Sequence, residues 1–264
     1  MSLVFAGITP HPPLLIPSIG KENSEKLKKT HDAFLKMEES LYLSKPNIVM
    51  IISPHGTVFE DSFCINAHTH FIGSYETFGD HDTKDEWKGA TDFAAHIGHM
   101  GNEERVEVQL ISEEKLDHGI SIPLHFLMQH LQITPILPIS PSKLKNKDHV
   151  AFGSLLKEAC MDTDKRIAVI VSTDLSHTLT SDSPAGFSKH GEIFDKKIIE
   201  LFQAHNSTGI INMNEDIVSG AQSCGYNALL IFLGILQNMN YEFKHHTYET
   251  PFGIGYLSGE CILN

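Results

Sequence analysis

The 264-residue chain is short of most features that identify a function at sight. Its four cysteines, Cys64, Cys160, Cys224 and Cys261, are too scattered for a CxxC metal motif or a disulfide framework, so they read as thiols. There is no HExxH, no GxGxxG after the first strand, no GxxxxGK[ST] and no GxSxG. The common zinc-protease, dinucleotide, P-loop and nucleophile-elbow readings are therefore unsupported. Positive charge is scarce: 20 Lys and Arg face 33 Asp and Glu, for a net charge of −13. That argues against nucleic acid or an anionic membrane as the main partner. No window approaches the roughly 18 uninterrupted apolar residues of a membrane span. The first residues lack a basic segment followed by a long apolar stretch, which predicts no signal peptide and a cytoplasmic location.

What is present begins with core material, since 41% of the residues are hydrophobic. Short apolar runs at 3–9, 47–53, 134–140 and 166–172 predict buried strands. Segments 62–73 and 106–111 read as further strands, and 74–89 as a polar surface loop. Amphipathic spacing predicts helices over 21–44, 90–99, 148–161 and 186–204, with Leu27, His31, Phe34, Met37 and Leu41 on the buried face of the first. A helix over 121–131 is expected to carry Pro123 in its first turn. Residues 224–238 are apolar nearly all round, as in a buried helix, and the tail reads as two closing strands. This alternation predicts one α/β domain over 1–264, a mostly parallel sheet with helices on both faces.

Histidine is plentiful, at 17 residues. Most can be surface residues, so position relative to the strands has to select among them. The first strand runs into Thr9-Pro10-His11, the second into Pro54-His55-Gly56, and the strand at 166–172 into Thr173-Asp174-Leu175-Ser176-His177. Asp117 and His118 precede a helix start. Open α/β sheets bind ligands at the carboxyl ends of their strands. Each residue also has an ordinary structural reading: His11 and His55 as turn residues, His118, Asp174 and Ser176 as helix caps. Packing alone, however, does not require imidazole at three strand ends. Imidazole suits iron, copper and zinc, and serves as an acid or base near pH 7. Pro10 and Pro12 stiffen the loop that carries His11. Ser172 and Ser176 near His177 raise a serine-hydrolase alternative that no motif supports.

The stretches "GITPHPPLLIP", "SPHG", "DHGISIPL", "STDLSH", "SGAQSCG" and "YETPFGIGYL" together resemble the LigB-like superfamily, in the same order along the whole chain. That superfamily contains class III extradiol ring-cleavage dioxygenases and Memo-like proteins, including the LigB-type subunit of the AmmeMemoRadiSam system. The resemblance implies Fe(II) as the metal, with zinc or copper as alternatives, and His11 and His55 as ligands. It implies His177 as the acid/base histidine and His118 as a histidine of the surrounding shell that pairs with it in acid/base work; His177, His118 and Asp174 are the catalytic candidates. The implied partners are a small aromatic substrate of the catechol or aminophenol type and O₂.

The third ligand is where the sequence departs from the dioxygenase pattern. The expected carboxylate falls at Gln222, which is neutral, and Cys224 follows two residues later. Gln222, Cys224 and Glu249 are the candidates. A thiolate would favour a softer metal, and loss of an anionic ligand disfavours O₂ activation. The resemblance therefore also implies an alternative: a Memo-like metal-binding or redox protein without ring cleavage. Its partners would be AmmeMemoRadiSam components, including a radical-SAM enzyme. A pocket that binds a small molecule without metal is a third reading. A homodimer is compatible with the sheet edges, though no residue pattern specifies one.

Overall fold

The computed structural model describes residues 2–264. Its core begins with runs too apolar to tolerate water on either side. Strand β2 (Ile48–Ile52) is buried throughout. Ile48, Met50 and Ile52 enter one core cluster, and Val49 and Ile51 enter another on the opposite face. Strand β9 (Ile167–Ser172) alternates in the same way, with Ile167, Val169 and Val171 against Ala168 and Ile170. This is the geometry of a strand whose two opposite faces meet helices above and below the sheet.

The main sheet has eight strands, in the spatial order β10 (Tyr241–Glu249), β11 (Tyr256–Leu263), β1 (Leu3–Thr9), β9, β2, β8 (Ile136–Ser140), β3 (Phe63–Asn66) and β6 (Val108–Ile111). Its centre is parallel: β1, β9, β2 and β8. Antiparallel pairings flank that centre. β11 joins β1 to β10, and β3 pairs with β8. β6 closes the far edge in parallel with β3.

One face is covered by α3 (Thr91–Glu104), α5 (Asn146–Met161), α6 (Lys189–Gln203) and α9 (Tyr226–Ile235). Helix α9 is buried all round because it packs between the sheet and α5. Glycines let the two helices approach: a Cβ on Gly153 would lie 2.1 Å from the Ile231 carbonyl oxygen, and one on Gly234 2.3 Å from that of Val150. The other face carries α2 (Lys28–Leu43), α4 (His118–Leu127) and a small sheet of β5 (Lys84–Lys88), β4 (His70–Ser74) and β7 (Lys115–Leu116). Among the described residues, no helix is long and apolar enough to cross a membrane.

Several expectations need correction. The strand expected over 62–73 is two strands in different sheets, β3 and β4. The chain breaks between them where Asn66 Oδ1 accepts from the His68 amide. The segment 74–89 is not all loop: β5 pairs antiparallel with β4, but only Trp87 in it is buried, so its sequence lacks a clear apolar alternation. After a single turn, α1 (Pro17–Gly20), the first long helix begins as a 3-10 segment, Lys21–Leu27, and becomes α-helical at Lys28. His31 is half-buried instead of lying in its core stripe. Helix α4 starts earlier than expected, capped by Asp117, which leaves Pro123 inside the helix and not in its first turn. Two short helices, α7 (Ser207–Ile211) and α8 (Glu215–Ala221), fill 207–221, which carried no clear sequence signal.

Candidate metal centre

Parallel pairing delivers three strand ends to one rim. Thr9 at the end of β1 is level with Ser172 at the end of β9, and Ile52 at the end of β2 is level with Val171. His11, His55 and Asp174 leave from those ends. Helix α4 brings the fourth group: its N-terminus abuts the end of β2 so closely that a Cβ on Gly119 would meet Ser53 Oγ at 2.4 Å. Asp117 locks this junction, accepting from Ser53 Oγ at 2.7 Å and from the Ile120 amide at 3.2 Å. His118, the first residue of α4, is thereby turned onto the rim.

The outcome is a three-imidazole cluster. One ring nitrogen from each of His11, His55 and His118 lies within 4.8 Å of the other two. His11 Nε2 and His55 Nε2 are 3.0 Å apart. The His55 and His118 rings lie 4.2 Å apart at a tilt of 32°, and His11 meets both edge-on. His11 is buried and fixed at two points, its amide and its Nδ1, with Asp174 close to Nε2. Its amide donates to Asp174 Oδ1 at 2.9 Å, its Nδ1 is 2.8 Å from Ser172 Oγ, and its Nε2 is 3.7 Å from Asp174 Oδ2. Donation of Nδ1–H to Ser172 leaves the Nε2 lone pair facing the cluster.

Electrostatics keep these rings neutral. Burial first, then the neighbouring imidazoles, hold His11 well below the usual histidine value. Burial, then His118, lowers His55 to about 4, and burial, then His11, lowers His118 to about 4. At neutral pH all three offer lone pairs. Two neutral Nε2 atoms at 3.0 Å need a shared proton or an ion between them. Metal–imidazole bonds of about 2.0–2.1 Å give an edge of about 3.0 Å for two ligands at right angles. The donor set and its spacing therefore fit a transition-metal ion.

The other sequence candidates fall into distinct places. Cys224 Sγ lies 3.6 Å from His11 Nε2 and 3.6 Å from the Asp174 carbonyl oxygen. Burial, then Asp174, raises its thiol pKa, so it resists ionisation unless a cation is close. Asp174 is not a helix cap; it is a buried carboxylate that holds the His11 backbone, and burial lifts its pKa to about 6. His177 is held at the rim by its amide, which donates to Ala221 O at 2.9 Å. Its Nδ1 is buried without a hydrogen-bond partner among the described residues.

Two third-ligand candidates do not reach the cluster. Gln222 ends α8 in the left-handed conformation with an exposed side chain whose amide donates to Ser219 O at 2.7 Å. Glu249 accepts from the Thr30 amide and hydroxyl at 2.8 and 2.6 Å, tying β10 to α2. His118, expected in the surrounding shell, instead joins the ligand-capable group. Ser172 orients His11 and is not paired with His177, which removes its part in the hydrolase alternative. Sequence reasoning missed Phe78, whose ring lies 5.5 Å from that of His118. It sits in the polar stretch read as surface loop, where no periodicity could single it out.

An α/β sheet whose parallel strand ends gather neutral imidazoles defines a candidate metalloprotein. The chain belongs to the LigB family, described as the catalytic LigB subunit of aromatic ring-opening dioxygenase, whose model matches residues 6–258. It is similar to protein CA_C1420 of Clostridium acetobutylicum, 28% identical over 265 residues. That alignment covers 97% of this chain and 57% of the clostridial protein, so the chain spans little more than half of that relative. The crystal structure of an uncharacterised Escherichia coli K12 protein, JW3007, shares the fold with a TM-score of 0.68 at 14% identity. The match covers 97% of this chain and 99% of that one.

Proposed function

We propose that this protein is a metal-dependent oxidoreductase of the extradiol ring-opening type, acting on a catechol-like or aminophenol-like aromatic with O₂. The observation that carries this reading is the convergence of His11, His55 and His118, neutral and within 4.8 Å, at the rim of a LigB-family sheet. His11 and His55 would hold Fe(II), with His118 completing the set. The iron would supply adjacent open positions for a diol and O₂.

The remaining residues handle position and protons. Ser172 and Asp174 fix the His11 ring and backbone. His177 has an unpartnered Nδ1 at the rim and is suited to accept a phenolic proton and return it as the ring opens. Phe78 offers an apolar ring edge beside His118. The test is anaerobic loading with Fe(II), then O₂ and a panel of catechols and aminophenols. A yellow ring-opened product is expected, and its absence with every substrate from fully loaded protein overturns the reading.

One observation favours a second reading. Cys224 lies as close to His11 Nε2 as Asp174 does, and a thiolate there would suit a Memo-like metal or redox role alongside AmmeMemoRadiSam components. Metal content separates the two. On the first reading His118→Ala loses most of the bound metal and Cys224→Ser keeps it; on the second the pattern reverses.

A further inference from the structure

The loop between β4 and β5 turns back on itself beside the imidazole cluster. Its base is closed by Tyr75, whose Oη donates to Asp85 Oδ2 at 2.6 Å. One turn of 3-10 helix, Glu76–Phe78, carries Phe78 to the cluster, where its ring lies 5.5 Å from that of His118 at 73°. Gly79 follows in the left-handed region, at φ +86°, and reverses the chain so that Asp80 behind it is buried. Phe78 is half-buried and belongs to neither core cluster, so core packing does not place its ring.

Asp80 supplies the restraint instead. Its Oδ1 accepts from the amides of Asp82 at 2.9 Å and Thr83 at 3.0 Å, which shapes the return of the loop. Its Oδ2 accepts from Ser18 Oγ. Hydrogen bonding, from Ser18 first and then Thr83, holds the Asp80 carboxyl well below the usual carboxylate range, so the bond to Ser18 is charge-assisted at neutral pH. Ser18 lies in α1, on the segment that leaves His11, and Pro12, Pro13 and Pro17 stiffen that segment. The bond is thus a cross-tie between the stretch that carries His11 and the stretch that carries Phe78.

We propose that Ser18 and Asp80 are positioning residues: their cross-tie holds Phe78 against the cluster, where its ring selects an aromatic ligand over a non-aromatic one that offers the same pair of oxygens. The proposal rests on the ring-opening reading above, which brings the ligand's two oxygens to the cluster. Contact between aromatic rings adds to what burial alone gives. A loop fixed before binding also leaves less motion to be lost when the ring arrives. A chelator without a ring gains from neither.

Zinc-loaded protein allows binding to be measured without turnover. Catechol and acetohydroxamate both chelate a metal through two adjacent oxygens, and only catechol has a ring. Calorimetric titration is expected to show Phe78→Ala weakening catechol about tenfold while acetohydroxamate stays within about twofold of its parent value. Ser18→Ala should repeat that split at about three- to fivefold, and Ser18→Thr, which keeps a hydroxyl, should retain parent affinity. Ser18 is exposed, so its variants are expected to fold. Hydrogen exchange on the metal-free protein should show the Asp82 and Thr83 amides exchanging faster in Ser18→Ala than in the parent. Equal loss of both chelators in either alanine variant, or catechol binding that neither changes, overturns the proposal and leaves the ring-opening reading standing. If catechol does not bind the parent protein, that reading fails and this inference falls with it.

Discussion

At the scale of single residues, the centre depends on side chains that touch no ligand. Ser172 Oγ fixes which nitrogen of His11 faces the cluster. Residues that orient a metal-binding imidazole typically govern affinity by about 10–100-fold. Ser172→Ala is therefore expected to weaken metal binding within that range while leaving the fold intact, as competition against a chromophoric chelator would show. Unchanged affinity would mean that His11 is oriented by packing alone.

Asp195 is a buried carboxylate away from the cluster that accepts from the Ser176 amide at 2.8 Å and from Tyr248 Oη at 2.7 Å. Burial raises its pKa to about 7, and these two hydrogen bonds offset only part of that. Its folded pKa lies above its unfolded one, so it favours folding below about pH 4, and that contribution is lost as pH rises through 7. Asp195→Asn is expected to gain on the parent protein by on the order of a few kcal/mol across that window, with a constant difference above it. Urea denaturation at stepped pH reads the difference directly.

At the scale of elements, the rim is assembled by junctions. The approach of α4 to the end of β2 requires Gly119, and the crossing of α5 with α9 requires Gly153 and Gly234. Overpacking of this kind typically costs about 1–3 kcal/mol. Gly234→Ala is expected to lower stability by that amount in denaturant titration while leaving metal stoichiometry unchanged, because the crossing lies away from the histidines. Retained stability would show that the helices can separate without loss.

For the whole molecule, three imidazoles with depressed pKa values couple folding to pH and to metal. The unfolded chain takes up protons at these histidines near pH 6.5, whereas the folded one resists until about 4 for His55 and His118, and His11 is likewise held well below its usual value. Their contribution to metal-free stability is therefore full above about pH 6.5 and is lost as pH falls toward 4. A metal that binds only the folded state adds about 2.7 kcal/mol at 100 times its dissociation constant. Thermal melts should show a metal-dependent rise in Tm at pH 7 that vanishes near pH 4. A rise of equal size at both values would place the metal on groups other than imidazoles.

Much of this was readable from the chain alone. The apolar runs of β1, β2, β8 and β9 declare strands buried on both faces, because hydrophobic burial selects such residues locally and their order carries the α/β architecture. His11, His55 and His177 stood out because each follows such a strand. Other features depend on partners distant in sequence. β5 is a strand because β4 lies beside it, His118 joins the cluster because Asp117 and Gly119 seat α4 against β2, and Gln222 turns outward because α8 ends in a left-handed turn. Local composition specified which chemistry was on hand; only three-dimensional packing, which sets distances between residues far apart in the chain, decided which groups meet.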